Sequence, residues 1–291
     1  MNEIFLLFEQ FPAYFYAVVA LLGLLIGSFL NVVIHRLPIM MEQEYRSQAQ
    51  EFLEIEQAND SSAPYNLVVP RSCCPKCQHN ISALENIPII SYLVLKGKCK
   101  GCGTKISPRY PLIEALTGLL SLAVAFHFGP TWQCVAALIF TWSLIALTFI
   151  DFDTMLLPDA IVLPVLWLGI IANLNGLYTD INSSVIGAMI GYLSLWSIYW
   201  LFKIVTGKEG MGYGDFKLFA LIGAWLGWQA LPITILLSSL VGAVIGITIM
   251  IIRGKDRNLA IPFGPYLALA GWIAMLWGEQ INQAYLNSIG L

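Results

Sequence analysis

Charge is scarce in this 291-residue chain: Asp, Glu, Lys and Arg together make up 11% of it, where a soluble domain carries about 25%. That shortage excludes an ordinary water-facing surface. Lysine and arginine are absent from both chain ends and from the stretches around Pro130, Asp180 and Gln229. Three catalytic signatures are missing as well: a nucleophile elbow, an H-E-x-x-H pair and a Rossmann glycine fingerprint after a strand. Histidine is limited to His35, His79 and His127, so widely scattered that each reads as an interface or surface residue. The first apolar run lacks a basic leader and a convincing small-residue cleavage site. It is therefore expected to persist as a helix and not to be removed as a signal peptide.

Apolar length is what the chain has in abundance. Hydrophobic residues make up 58%, gathered near Tyr14 to Val33, Leu112 to Phe128, Trp132 to Ile150, Ala160 to Leu177, Val185 to Ile204, Phe216 to Leu231, Pro232 to Ile252 and Ile261 to Trp277. Each approaches the roughly 20 residues that cross a bilayer. The fold expected is an all-α polytopic membrane protein of about eight transmembrane helices. Net charge is −3 and says little about partners, but the placement of the fifteen basic residues says more. Arg36, Arg46, Arg71, Lys76, Lys96, Lys98, Lys100, Lys105 and Arg109 follow the first stretch. Lys203, Lys208 and Lys217 flank the fifth and sixth, and Arg253, Lys255 and Arg257 follow the seventh. Basic loops are retained in the cytoplasm, and with eight crossings all of these share that face.

Between the first two apolar stretches lies a polar insert, about Arg36 to Tyr110, smaller than a typical domain and in need of a staple. Cys74 and Cys77 form one C-x-x-C knuckle and Cys99 and Cys102 another, with twenty-one residues between the pairs. This is close to the spacing of a four-thiolate zinc site. Two disulfides or a redox dithiol are the alternatives, but a cytoplasmic insert sits in a reducing compartment. Structural Zn2+ is the preferred reading, because four protein ligands leave no position for a catalytic water. Cys73 is the poorer ligand by spacing, and Cys134 reads as a small core residue. Earlier in the insert runs an acidic segment with Glu42, Glu44, Glu51, Glu54, Glu56 and Asp60. It reads as a solvated face or as a docking surface for a basic peptide, and Phe52, Leu53 and Ile55 give it an apolar side to pack on the zinc domain. Ser61 to Pro64 reads as a linker.

The glycine-rich run Gly210 to Gly214 ends in Asp215, at the entrance of the sixth apolar stretch, where desolvating an acid is costly. Among the other acids on the basic side, Glu85, Glu114, Asp151, Asp153, Asp159, Glu209 and Asp256, one stands out. Asp151 directly follows the third stretch, and two crossings separate it from Asp215, which returns both acids to one face. Two carboxylates in a partly dry site do not both ionise readily, so one proton is shared. The ionised member takes a proton from water as it attacks a peptide carbonyl; the protonated member donates to the carbonyl oxygen and then to the leaving amine. The plain alternative for Asp215 is a helix-capping acid. Capping accounts for Asp159, Asp153 is the reserve member of the pair, and Glu114 is read as a cap or a substrate contact. A proton-coupled transporter with the same two acids and a scaffold that only gathers subunits are the rival functions.

These residues together resemble the bacterial type IV prepilin peptidases. The resemblance is carried by Gly27 to Pro38, the two cysteine knuckles, Arg109 to Gly118, Asp151 through Asp159, and Gly210 to Leu218. It implies an intramembrane aspartyl protease of the G-x-G-D type with catalytic Asp151 and Asp215, and metal-binding Cys74, Cys77, Cys99 and Cys102. It also implies cleavage after a glycine at the junction of a basic leader and an apolar helix, then S-adenosylmethionine-dependent N-methylation of the new terminus. No S-adenosylmethionine ligand is assigned, although the stretch Asn31 to Arg36 is the region favoured. The expected partners are prepilins, pseudopilins and membrane lipid, with no nucleic acid. The expected place is the bacterial inner membrane, zinc domain and aspartates on the cytoplasmic side. The expected division is residues 1–35 as a first transmembrane helix, 36–111 as a zinc-binding domain and 112–291 as the protease core.

Overall fold

The computed structural model describes residues 3–53, 65–253 and 261–288. Among them the regular structure is helical, with isolated bridges and no strand. The elements are α1 (Glu3–Gln10), α2 (Pro12–Phe52), α3 (Ile90–Val94), α4 (Arg109–Phe128), α5 (Trp132–Thr154), α6 (Asp159–Asn173), α7 (Ile181–Thr206), α8 (Tyr213–Leu226), α9 (Leu231–Arg253) and α10 (Gly264–Ser288). Each of the eight expected apolar stretches coincides with a helix. Among the described residues, five regions are long and apolar enough to cross a membrane: α2, α4, α5, α7 and the stretch Trp228–Ile252 that contains α9. At 15 and 14 residues, α6 and α8 reach only about 22 and 21 Å at 1.5 Å per residue.

The chain divides into two compact units, Met1–Pro130 and Thr131–Leu291. In the first, α2 and α4 pack through small residues. A Cβ on Gly27 would lie 2.8 Å from the Glu114 Cα, and one on Gly23 would lie 2.7 Å from the Ser121 hydroxyl. In lipid, where apolar surface alone does not drive helices together, such close backbone approach supplies the dispersion energy. Near one end of the pair, Tyr16 stacks on Phe126 with ring centroids 4.3 Å apart. Beyond its apolar part, α2 continues through Pro38 to Phe52. Arg36 is buried there and ties the insert to the helix, donating to the carbonyls of Asn66 at 2.8 Å and Pro70 at 2.7 Å. Phe52 and Leu53 do not pack on the cysteine module as expected: they are 87% and 63% exposed at the end of α2. Ile55, Glu54, Glu56, Asp60, Asp256 and the linker Ser61 to Pro64 lie outside the described residues.

In the second unit the short helix α8 is the centre. Phe216, Leu218, Phe219, Leu221, Ile222 and Trp225 are all at most 2% exposed. Gly187 on α7 meets Gly223 on α8 backbone to backbone, so that a Cβ on either would overlap the other's carbonyl. Trp225 lies across Gly169 of α6 and donates its indole N–H to the Val165 carbonyl at 2.8 Å. The carbonyls at the C-terminal end of α8 have no partner within the helix. Asn173 supplies one, donating to Ala224 and Trp225 at 3.0 and 2.9 Å, and the Ser184 hydroxyl also donates to Ala224. The outcome is a protein-encased helix with its polar ends satisfied by its neighbours.

Candidate active site

Asp151 lies in the last turn of α5 and Asp215 in the first turn of α8. Both are buried, at 4% and 6% exposure, and close enough for their charges to interact directly. α5 ends just beyond Asp151 because Met155 adopts a left-handed φ of 55° and closes its N–H on the Asp151 carbonyl at 3.0 Å. On the other side Gly212 is the N-cap of α8, and its N–H donates to Asp215 Oδ2 at 3.2 Å. Asp215 thus takes the reciprocal role of a capping box. It caps its helix and sits beside Asp151, so the two readings of this residue are compatible.

Asp151 Oδ2 is buried without a hydrogen-bond partner among the described residues. The Gly264 amide approaches closely enough to influence the carboxylate, yet its geometry does not close a bond to that oxygen. Leaving such an atom unpaired costs about 1–3 kcal/mol, an expense typical of functional sites. The walls are unusually close. A Cβ on Gly264 would stand 2.5 Å from Oδ2, and one on Gly214 would stand 2.7 Å from the Leu157 Cβ. Leu157, from the α5–α6 connection, also lies 3.2 Å from the same Gly264 position. The two glycines beside the two acids therefore close on one leucine. Leu157 and Gly264 were not singled out from sequence; the signal available was Gly264 followed by Pro265 at a helix entrance, a backbone held in place and stripped of side chain.

The other acids go elsewhere. Asp153 is exposed and is not part of the buried pair. Asp159 is not the N-cap of α6, a position held by Pro158; both its oxygens accept from Lys217 Nζ at 2.7 Å, which ties α6 to α8. Glu209 accepts from Lys203 at 2.9 Å, an ion pair beside the glycine-rich run that holds the Glu209 carboxyl below its usual range. Glu114, in the first unit, is no cap either: buried in the second turn of α4, it accepts the Ile89 N–H at 2.8 Å.

Four of the five cysteines of the insert converge. The sulfurs of Cys74, Cys77, Cys99 and Cys102 all lie within 4.8 Å of one another, with Cys74 to Cys102 and Cys77 to Cys99 each 3.9 Å apart. Those separations are far too long for disulfides. They match the edge of about 3.8 Å of a tetrahedron with metal–sulfur bonds of about 2.3 Å. The two knuckles repeat one pattern: Cys74 N–H donates to the carbonyl of His79 and Cys99 N–H to that of Thr104, at 2.9 and 2.8 Å. In each, the residue four past the first cysteine, Gln78 or Gly103, has positive φ and donates its N–H back to that cysteine's carbonyl. Cys73 stays outside the cluster, its thiol donating to Gln78 Oε1 at 3.2 Å. His79 is also turned away, pairing with Glu85 at 3.3 Å. Cys134 is buried in α5.

Helices that cross a membrane in one unit around a buried carboxylate pair, and a four-thiolate module attached to such helices in the other, define a polytopic helical membrane protein with two distinct centres. Residues 21–128 match the bacterial peptidase A24 N-terminal domain, and residues 138–247 match the type IV leader peptidase family. The chain is 58% identical to the prepilin leader peptidase/N-methyltransferase of Aeromonas hydrophila, over 95% of this chain and 96% of that one. Identity to the protein of the same name from Pseudomonas aeruginosa is 58%, over 96% of each chain. For the one from Neisseria gonorrhoeae it is 51%, over 91% of each. The chain belongs to the type IV leader peptidase family. No solved structure matches it.

Proposed function

We propose that this protein removes the leader of type IV prepilins and pseudopilins by aspartyl chemistry at Asp151 and Asp215, and then N-methylates the exposed terminus. The observation that carries the peptidase reading is the buried carboxylate pair with one unpaired oxygen, Asp151 Oδ2. Two acids sharing a proton supply a base for water and an acid for the carbonyl, and they exchange roles as the amine leaves. Gly214 and Gly264, lacking side chains, let Leu157 pack directly beside the two acids and hold the site tight. The excess of basic residues around the insert and at the α7–α8 connection supports placing both centres on the cytoplasmic side of the inner membrane.

Zn2+ fits the insert, because four sulfurs already stand at tetrahedral separations. Cys74, Cys77, Cys99 and Cys102 would hold it, and its role there is to crosslink the module, not to activate water. Methylation is supported by the names of the relatives. S-adenosylmethionine would supply the methyl group, but the described residues contain no strand followed by a glycine-rich turn to hold it in the Rossmann manner, so no residue is assigned to it.

Purified protein in detergent, given a prepilin, is expected to lose cleavage in both Asp151→Asn and Asp215→Asn with its melting profile retained. Asp153→Asn is expected to cleave normally. Persistent turnover in either of the first two variants removes that residue from the pair, and loss only in the third moves the site to Asp153.

A further inference from the structure

The cysteine module carries an apolar face that neither the metal site nor the peptidase uses. In α3, Ile90, Leu93 and Val94 are 59%, 67% and 74% exposed. Their spacing of three and four residues puts them on one side of the helix. Leu84, in the turn before α3, is 77% exposed. The opposite side is anchored: the Tyr92 ring covers Gly97, where a Cβ would lie 2.9 Å from the ring.

Both ends of α3 are fastened to the entrance of α4. Ile89, immediately before α3, donates its N–H to Glu114, and Ile106, three residues before α4, donates its N–H to the carbonyl of Gly97, just after α3. Glu114 lies five residues into α4, roughly 7.5 Å along its axis. α4 is long and apolar enough to cross a membrane. The short helix is therefore held alongside the first turns of a span, at the depth where water gives way to hydrocarbon. Lys96, Lys98 and Lys105 are exposed beside it. An apolar face with cations at its edge is the composition of an interfacial helix on an anionic bilayer.

We infer that the α3 face, Ile90, Leu93 and Val94 with Leu84, docks on the lipid surface of the membrane the protein inhabits, with Lys96, Lys98 and Lys105 favouring anionic headgroups. The docking holds the four-cysteine module flat at the bilayer surface. Its apolar residues reach the acyl boundary and its lysines the phosphates. The inference stands on α4 being a span and does not depend on the peptidase assignment.

The test uses the full-length protein in nanodiscs, with a photoreactive benzophenone side chain installed in place of Leu93, of Val94 or, as an exposed control, of Asn80. Lipid adducts are counted by mass spectrometry after irradiation. In phosphatidylglycerol nanodiscs, several-fold more adduct is expected at 93 and 94 than at 80. Lys96→Gln and Lys98→Gln should each lower that yield, by up to about fivefold per lysine near the surface, and should have little effect in phosphatidylcholine. Equal adduct at all three positions overturns the inference. So does crosslinking of 93 and 94 to an added prepilin in place of lipid, in an Asp151→Asn background, which would assign the face to a protein partner. Lipid adducts insensitive to the lysine changes would overturn the preference for anionic headgroups.

Discussion

Gly264→Ala is the sharpest probe of the carboxylate site. The added methyl would sit 2.5 Å from Asp151 Oδ2, whereas ordinary contact begins at 3.4 Å. Either α10 or the carboxylate must therefore give by about 0.9 Å. The first turn of α10 is backed by Tyr266, Leu267 and Ala268, all buried, while Oδ2 has no hydrogen bond to hold it. The carboxylate is the part that yields, and it moves off its alignment with Asp215. A misplacement of about 1 Å in reacting groups costs on the order of 100-fold in rate, or about 2.7 kcal/mol of barrier. Steady-state cleavage of a purified prepilin should show kcat reduced by about that factor with KM changed little, since contacts remote from the acids remain. Gly246→Ala is the matched control: its methyl would meet only Ile261 Cδ1, at 3.6 Å, so both constants should stay near the parent values. Wild-type kcat in a folded Gly264→Ala protein would refute the proposed tight fit around Oδ2.

Gly214→Ala, and more so Gly214→Val, should impair cleavage with both acids intact, because the first added carbon lands 2.7 Å from Leu157 Cβ. Leu157→Gly in the Gly214→Ala background, which removes the Cβ that is met first, should restore part of the rate; a strictly additive double mutant would break the link between the two positions. The purified protein should contain one zinc per chain, lost in Cys77→Ser, with the insert then cut faster by protease than the helices; metal analysis finding no stoichiometric zinc would refute the site. Asp180 accepts the Ser183 N–H at 3.0 Å as the N-cap of α7, and its bonds to Ser183 hold its carboxyl below the usual range. A carboxyl depressed in the folded state stabilises above its ordinary titration range and loses that contribution as pH falls through its lowered one. The melting-temperature deficit of Asp180→Ala relative to the parent should therefore shrink on acidification, and a deficit constant with pH would contradict the charge-assisted cap.

Much of the architecture was readable because its signals are long. Eight apolar runs announce helices whatever their neighbours are, and two knuckles of equal form announce a metal cluster. Asp151 and Asp215 could be paired on paper because helix crossings have a parity that sequence displays. What sequence concealed depends on contact. Asp159 had the look of a cap, but the cation that occupies it, Lys217, is 58 residues away. Pro38 has the look of a stop signal, yet α2 passes through it, because a helix can give up one hydrogen bond when the surrounding packing holds the backbone. Asn173 and Ser184 are unremarkable polar residues in apolar runs until the carbonyl ends of α8 are set against them. The roles of Leu157 and Gly264 rest on distances of about 3 Å or less, which no periodicity encodes.

The encasement of α8 bears on how the protein responds to different membranes. At about 21 Å this helix is shorter than the roughly 30 Å hydrocarbon layer, and it is wrapped by protein, with Asn173 and Ser184 closing its far end. A change in bilayer thickness acts first on lipid-facing helices such as α9, which carries exposed apolar side chains and can tilt to compensate. Asp215 rides on the one helix that has little reason to tilt with them. Asp215 is thus held apart from lipid, whereas Asp151 rides on the spanning helix α5, so a change of the pair with bilayer thickness should enter through α5.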